Sequence, residues 1–275
     1  MIMSVEHLYE PFQYSFMVRA LIVCLLVGLM CPLLGSHVIS REMGFMGDAL
    51  AHAVMPGMVV AYSIGISTFF GSIPMAIVVA LSIGYVAKKS KISNDTTIGI
   101  LFAGLFALGL ILISLQNGLN VSVEDILLGQ VISTSWVDVY VTSILALLVI
   151  VIMIAMYKPM VFVGFDYQGA IVAGIKADKV DYLLLILLSI VVVVTLNVVG
   201  IVLVIGMLIT PAAAASLVVK RFSSTIPMGM LFGIMSSIIG LYIAYYLDTP
   251  PGPSICLVST AIFTLAFAKT KILTR

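Results

Sequence analysis

Apolar residues run along this chain in long blocks, neither alternating in polarity nor confined to one helical face. They lie near residues 14–35, 49–66, 68–87, 97–115, 137–157, 181–198, 199–219, 226–247 and 254–268. Runs of roughly 17 to 22 residues match what an α-helix needs to cross about 30 Å of hydrocarbon. The blocks predict an all-α, polytopic transmembrane bundle of about nine spans, or about eight if one run is re-entrant. The boundary inside 181–219 is the softest, since only Asn197 and Gly200 interrupt that stretch. A membrane barrel would instead show segments of about ten residues alternating in polarity, and Leu183 to Val194 has no alternation.

Composition agrees and narrows the class. Apolar residues make up 62% of the 275 and charged residues only 9%, against about a quarter charged in a soluble domain. The formal charge of +1, without any long basic or acidic block, favours neither nucleic acid nor an acidic partner. Cys24, Cys31 and Cys256 form no Cys-x-x-Cys pair and read as packing residues. The start, MIMSVEHLYEPFQY, has no basic region leading to a cleavage site. Residues 1–275 are read as one transmembrane domain.

Charge becomes informative through its position. With Lys88, Lys89 and Lys91 placed in the cytoplasm and nine alternating spans, twelve of the 13 basic residues fall inside and only Arg19 falls outward. In that topology the segment from Gln116 to Trp136, with its acids Glu124 and Asp125, faces outward. The segment FVGFDYQGAIVAGIKADKVD faces inward and reads as a short amphipathic helix with Gly174 as its terminator. Such a helix either receives a partner protein or lies in the headgroups.

Ionisable groups in or beside spans are costly, so each needs a reason. In GFMGDALAHAVMPG, Asp48 and His52 are four residues apart, which puts a carboxylate and an imidazole on one helix face. Mixed O and N donors suit Mn, Fe or Zn better than Ca or Mg. Two ligands are too few for a metal, but a two-fold dimer with this helix near its axis doubles them. The alternative is that Asp48 caps the helix and His52 merely bonds to it. Pro56 and Gly57 follow one turn later and break the helix where transporters expose backbone to a substrate; Met55 and Met58 could add thioether contacts. His7 and His37 read as surface residues, and Asp95 as the cap of the fourth span. No GxxxxGK[ST] loop and no HExxH occur, so the chain has neither a P-loop nor a zincin site of its own.

The segment SREMGFMGDALAHAVMPGMVVAY (Ser40 to Tyr62) resembles the signature of the permease subunits of ABC importers for manganese, zinc and iron. Further segments resemble that family in order: NDTTIGILFAGLFALG, VEDILLGQVISTSW, FDYQGAIVAGI, VVGIVLVIGMLITPAAAA and GPSICLVSTAIFTLAF. The resemblance implies a multi-pass protein of the bacterial plasma (inner) membrane. It implies a homodimer, or two similar permeases, bound to cytoplasmic ATP-binding subunits and fed by an extracytoplasmic metal-binding protein. No cofactor is implied beyond the transported ion, Mn²⁺ first and Zn²⁺ or Fe²⁺ next, with Asp48 and His52 in its pathway. Residues 164–178 match the family's coupling helix through Asp166, Ala170 and Gly174, with Gln168 departing from an expected acid. The implied mechanism is alternating access driven by ATP hydrolysis in a partner. The competing readings are an ion-coupled secondary transporter, a cobalamin- or siderophore-type ABC permease, and an intramembrane protease, which GFMGD fits poorly because it lacks Gly-x-Gly-Asp.

Overall fold

A computed structural model describes residues 10–90, 92–115 and 134–273. The segment expected to face outward, with Glu124 and Asp125, lies outside the described residues, as do His7 and Lys91. Among the described residues there is no strand, and the helices are α1 (Ser15–Ser40), α2 (Met46–Ala53), α3 (Met55–Ser63), α4 (Thr68–Lys89), α5 (Asn94–Leu115), α6 (Trp136–Ala155), α7 (Tyr157–Phe165), α8 (Tyr167–Val172), α9 (Ala177–Val199), α10 (Ile201–Val218), α11 (Phe222–Leu247) and α12 (Pro251–Leu273). Eight of them, α1, α4, α5, α6 and α9 to α12, are long and apolar enough to cross a membrane.

The span expected at 49–66 is a broken pair, α2 and α3, hinged at Val54. The cause is local. Pro56 has no N–H to give the carbonyl of His52 four residues back, and its ring crowds that carbonyl. At the soft boundary in 181–219 the turn falls at Gly200, whose φ of +90° is open to glycine and strained for other residues. The fourth span starts differently from the expectation: the Ser93 hydroxyl accepts the Thr96 N–H at 3.2 Å, so Ser93 supplies the cap and Asp95 sits in the first turn of α5. His37 also departs from its surface reading. α1 runs on to Ser40, past the expected end, and buries His37 to 1% exposure.

The chain divides into two compact units. One takes the described residues of Met1–Ser36, Glu124–Leu147 and Asn197–Arg275. In it α10, α11 and α12 pack on one another. Val23, Cys24, Val27, Met30, Cys31 and Leu34 are fully buried at helical spacing along α1. The Ser237 hydroxyl donates to the Cys24 carbonyl at 2.8 Å, which gives a buried hydroxyl its partner.

The other unit takes His37–Val123 and Leu148–Leu196 where described. Here α3 packs on α4 and α5, and α2 packs on α5. α5 is the least buried of the eight long helices, and it exposes Ile100, Leu108, Ile111 and Leu115. Bare aliphatic side chains at that density suit hydrocarbon rather than water.

Candidate functional site

The break at Val54 makes α2 a separate eight-residue rod, and Asp48 and His52 stand on it one turn apart. His52 Nε2 lies 3.3 Å from Asp48 Oδ1, with the side chains 19% and 25% exposed respectively. The start of α2 carries no side-chain cap bond, so the carboxylate is not spent on capping. Metal–ligand bonds of about 2.1 Å to both atoms would close an angle of roughly 100° at the ion, between the ideal tetrahedral and octahedral angles. The pair can therefore grip a divalent cation as a two-toothed ligand. No group of three or more His, Cys, Asp and Glu suited to a metal occurs among the described residues.

Two residues that sequence reasoning passed over hold the imidazole. Phe102 and Phe106 of α5 stack on each other, with centroids 5.8 Å apart, and both meet the His52 ring edge-on at 5.6 and 5.2 Å. Their four-residue spacing on an apolar helix was the only available signal, and that spacing is common to every packed helix. Pro56 and Gly57 open α3, where Gly57 packs directly on Gly71 of α4. Met55 is buried against Gly109 of α5.

A second polar cluster in the same unit was legible only as loose charges at span ends. Asp181 accepts from Arg41 Nη1, and Arg41 Nη2 donates to the Met160 carbonyl at 3.3 Å. Lys88 Nζ donates to Asp178 at 2.6 Å and lies 3.3 Å from Asp181. The Tyr167 hydroxyl also donates to Asp178, at 2.7 Å, and this bond holds its phenol above the ordinary tyrosine value.

The 164–178 segment is a helix end, a short helix and a turn. α7 ends at Phe165, and Asp166 caps α8 by accepting the Gly169 N–H at 2.8 Å. Gly174, at φ +82°, donates to the Ile171 carbonyl, and Ile175 donates to the Ala170 carbonyl, closing a Schellman motif. Asp166 and Gly174 thus shape α8. Ala170 is its buried foot, and Gln168 is exposed beside Ile171 and Val172, the last 89% exposed.

With eight membrane-length helices and a broken one, the chain is a multi-pass α-helical membrane protein. Comparison with known proteins narrows the class: the chain belongs to the ABC 3 transport family, whose sequence model matches residues 13–270. It is 43% identical over 255 residues to the manganese transport system membrane protein MntC of Halalkalibacterium halodurans, covering 93% of this chain and 87% of that protein. It is 35% identical over 267 residues to a probable iron transport system membrane protein of Haemophilus influenzae, covering 97% and 98%. Among solved structures it resembles PsaBC from Streptococcus pneumoniae in complex with Fab, with a TM-score of 0.84, 32% identity, and coverage of 96% of this chain and 95% of that one.

Proposed function

We propose that this chain is the membrane-spanning permease of an ATP-driven importer, and that it moves Mn²⁺ into the cell through a site formed by Asp48 and His52. The observation that carries this is the carboxylate–imidazole pair on its detached helical rod, 3.3 Å apart and backed by two aromatic rings. Relatives named for manganese transport support the choice of metal, and relatives named for iron transport make Fe²⁺ the second reading, with Zn²⁺ after it. A second permease copy brings the facing pair and completes four protein ligands around the ion.

Residues 1–275 act as one permease domain, with 164–178 as the segment that receives a cytoplasmic ATP-binding subunit. Clustering of Arg41 and Lys88 at one end of their unit supports placing that end in the cytoplasm. The apolar tip of Ile171 and Val172, with Phe165 and Gln168 nearby, is the contact surface, while Asp166, Ala170 and Gly174 hold its shape. An extracytoplasmic binding protein delivers the metal, and nucleotide-driven movement of α8 opens the pair alternately to the two sides.

The test is uptake of radioactive Mn²⁺ by cells or proteoliposomes holding the permease together with its ATP-binding subunit. Uptake is expected to require ATP hydrolysis and to be competed by unlabelled Mn²⁺ more strongly than by Fe²⁺ or Zn²⁺. Uptake that persists without the ATP-binding subunit and follows a proton gradient would instead establish a secondary transporter. Val172→Asp places a charge on the exposed tip and is expected to detach the ATP-binding subunit on affinity purification. Normal co-purification with this variant would remove the coupling role of 164–178.

A further inference from the structure

The chain of polar contacts from α8 to the turn before α2 is continuous and lies within one compact unit. It runs from Tyr167 at the first position of α8 to Asp178, from Asp178 to Lys88, from Lys88 to Asp181, and from Asp181 to Arg41. Arg41 stands in the connection between α1 and α2, seven residues before Asp48. Lys88 also lies over the rings of Tyr182 and Tyr167, at 4.8 and 5.6 Å. A cavity of about 270 Å³ opens among these groups, lined in part by Arg41, Lys88, Asn94, Gly164, Tyr167 and Asp181.

The members of this chain are not equivalent. Arg41 and Asp181 are mostly buried, 11% and 19% exposed, and Arg41 is also tied to a backbone carbonyl, so that pair is a fixed anchor. Asp178 is 67% exposed, and its link to Lys88 exchanges readily with water. One ammonium therefore faces two carboxylates, with the nearer contact on the exposed side and space beside it. In the structure the ammonium bridges both carboxylates at once, and drawing it fully to Asp181 would give this local element a second arrangement. Coupling between distant sites requires such an element. In the first arrangement Tyr167, and α8 with it, is strapped to the Arg41 anchor. In the second the strap is open.

We propose that Lys88 is a positioning residue whose exchange between Asp178 and Asp181 ties the placement of α8 to the entry of the Asp48/His52 helix, making metal occupancy and α8 docking mutually dependent. This rests on the reading of 164–178 as the segment that meets the ATP-binding subunit. Linkage makes it reciprocal: if α8 position biases the metal helix, metal binding must bias α8.

The experiment measures hydrogen exchange of the amides of residues 167–175 in the assembled transporter in lipid nanodiscs, with and without Mn²⁺, alongside direct Mn²⁺ binding. In the unmodified protein Mn²⁺ is expected to change protection across α8. Lys88→Gln, Asp178→Asn and the mild Tyr167→Phe are each expected to abolish that change while Mn²⁺ still binds, and to lower uptake by about 3- to 30-fold, the range in which coupling residues act. Lys88→Arg, which keeps the charge and its donors, is expected to preserve the response. A Mn²⁺-dependent change that survives in all three disruptive variants overturns the proposal, as does Mn²⁺ binding without any change in the unmodified protein. Failure of the unmodified protein to bind Mn²⁺ strikes the metal-site reading itself and takes the strap with it. Normal co-purification of the Val172→Asp variant strikes the docking reading on which the proposal rests, an outcome distinct from loss of the exchange response.

Discussion

Asp48→Ala and His52→Ala are each expected to reduce initial Mn²⁺ uptake by at least about 100-fold, because loss of even an outer-shell partner of a metal ligand costs about 10- to 100-fold. The two donor atoms are 3.3 Å apart on one turn of α2, so a cation bound between them uses both, and removing either leaves a single tooth. Assembly is expected to survive, since both side chains are partly exposed and neither caps α2. The measurement is uptake of radioactive Mn²⁺ normalised to the amount of assembled transporter. Wild-type rates in both variants would remove the pair from the pathway. Asp48→Asn makes the chemistry explicit: it keeps the shape but loses the charge, and uptake falls close to that of Asp48→Ala.

Gly71→Val produces the largest structural failure expected in the unit that carries the pair. A Cβ at Gly71 would lie 2.0 Å from the Gly57 carbonyl oxygen, and one at Gly57 would lie 2.4 Å from the Gly71 carbonyl oxygen. Both obstacles are backbone, which no rotamer change relieves. α3 must separate from α4, and since α3 is only nine residues long and starts at the Pro56 break, it has little else to hold its place. Forcing extra methylenes into packed interiors costs about 1–3 kcal/mol even where side chains can yield. Purified Gly71→Val protein should accumulate poorly and melt several degrees lower in detergent. Gly104→Ala on α5, where a Cβ meets nothing within 4 Å, should melt as the unmodified protein does. Equal melting of Gly71→Val and Gly104→Ala would contradict the close approach of α3 and α4.

Much of the helical layout was legible because its causes are local. Gly200 ends α9 because a residue at φ +90° is accessible to glycine alone at low cost, and Gly174 closes α8 for the same reason. Pro56 hinges α2 and α3 because it cannot donate to the carbonyl one turn back. Where the reading of the chain erred, the competing signal was equally local and weaker. Ser93 and Asp95 both suit a helix start, and the geometry chose Ser93. His37 looked peripheral only because α1 was ended one turn early.

The candidate site was half legible. Asp48 and His52 share a face by helical periodicity alone, and that follows from a spacing of four. Nothing in a spacing says that Phe102 and Phe106 will brace the imidazole, since they come from another helix some fifty residues later. Arg41 and Asp181, 140 residues apart, carried only the information that basic residues favour the cytoplasmic face.

By itself, then, the order of residues determined the membrane class, the helical spans and their interruptions, and the shared face of Asp48 and His52. Each depends on contacts within a few turns of one chain segment, where run length, periodicity, proline and glycine act directly. The tertiary structure alone decided which rings meet His52, which carboxylate holds Arg41, and that Lys88 stands between two acids. Those depend on which helices lie side by side, an outcome of side-chain packing summed over the whole unit that no local pattern encodes.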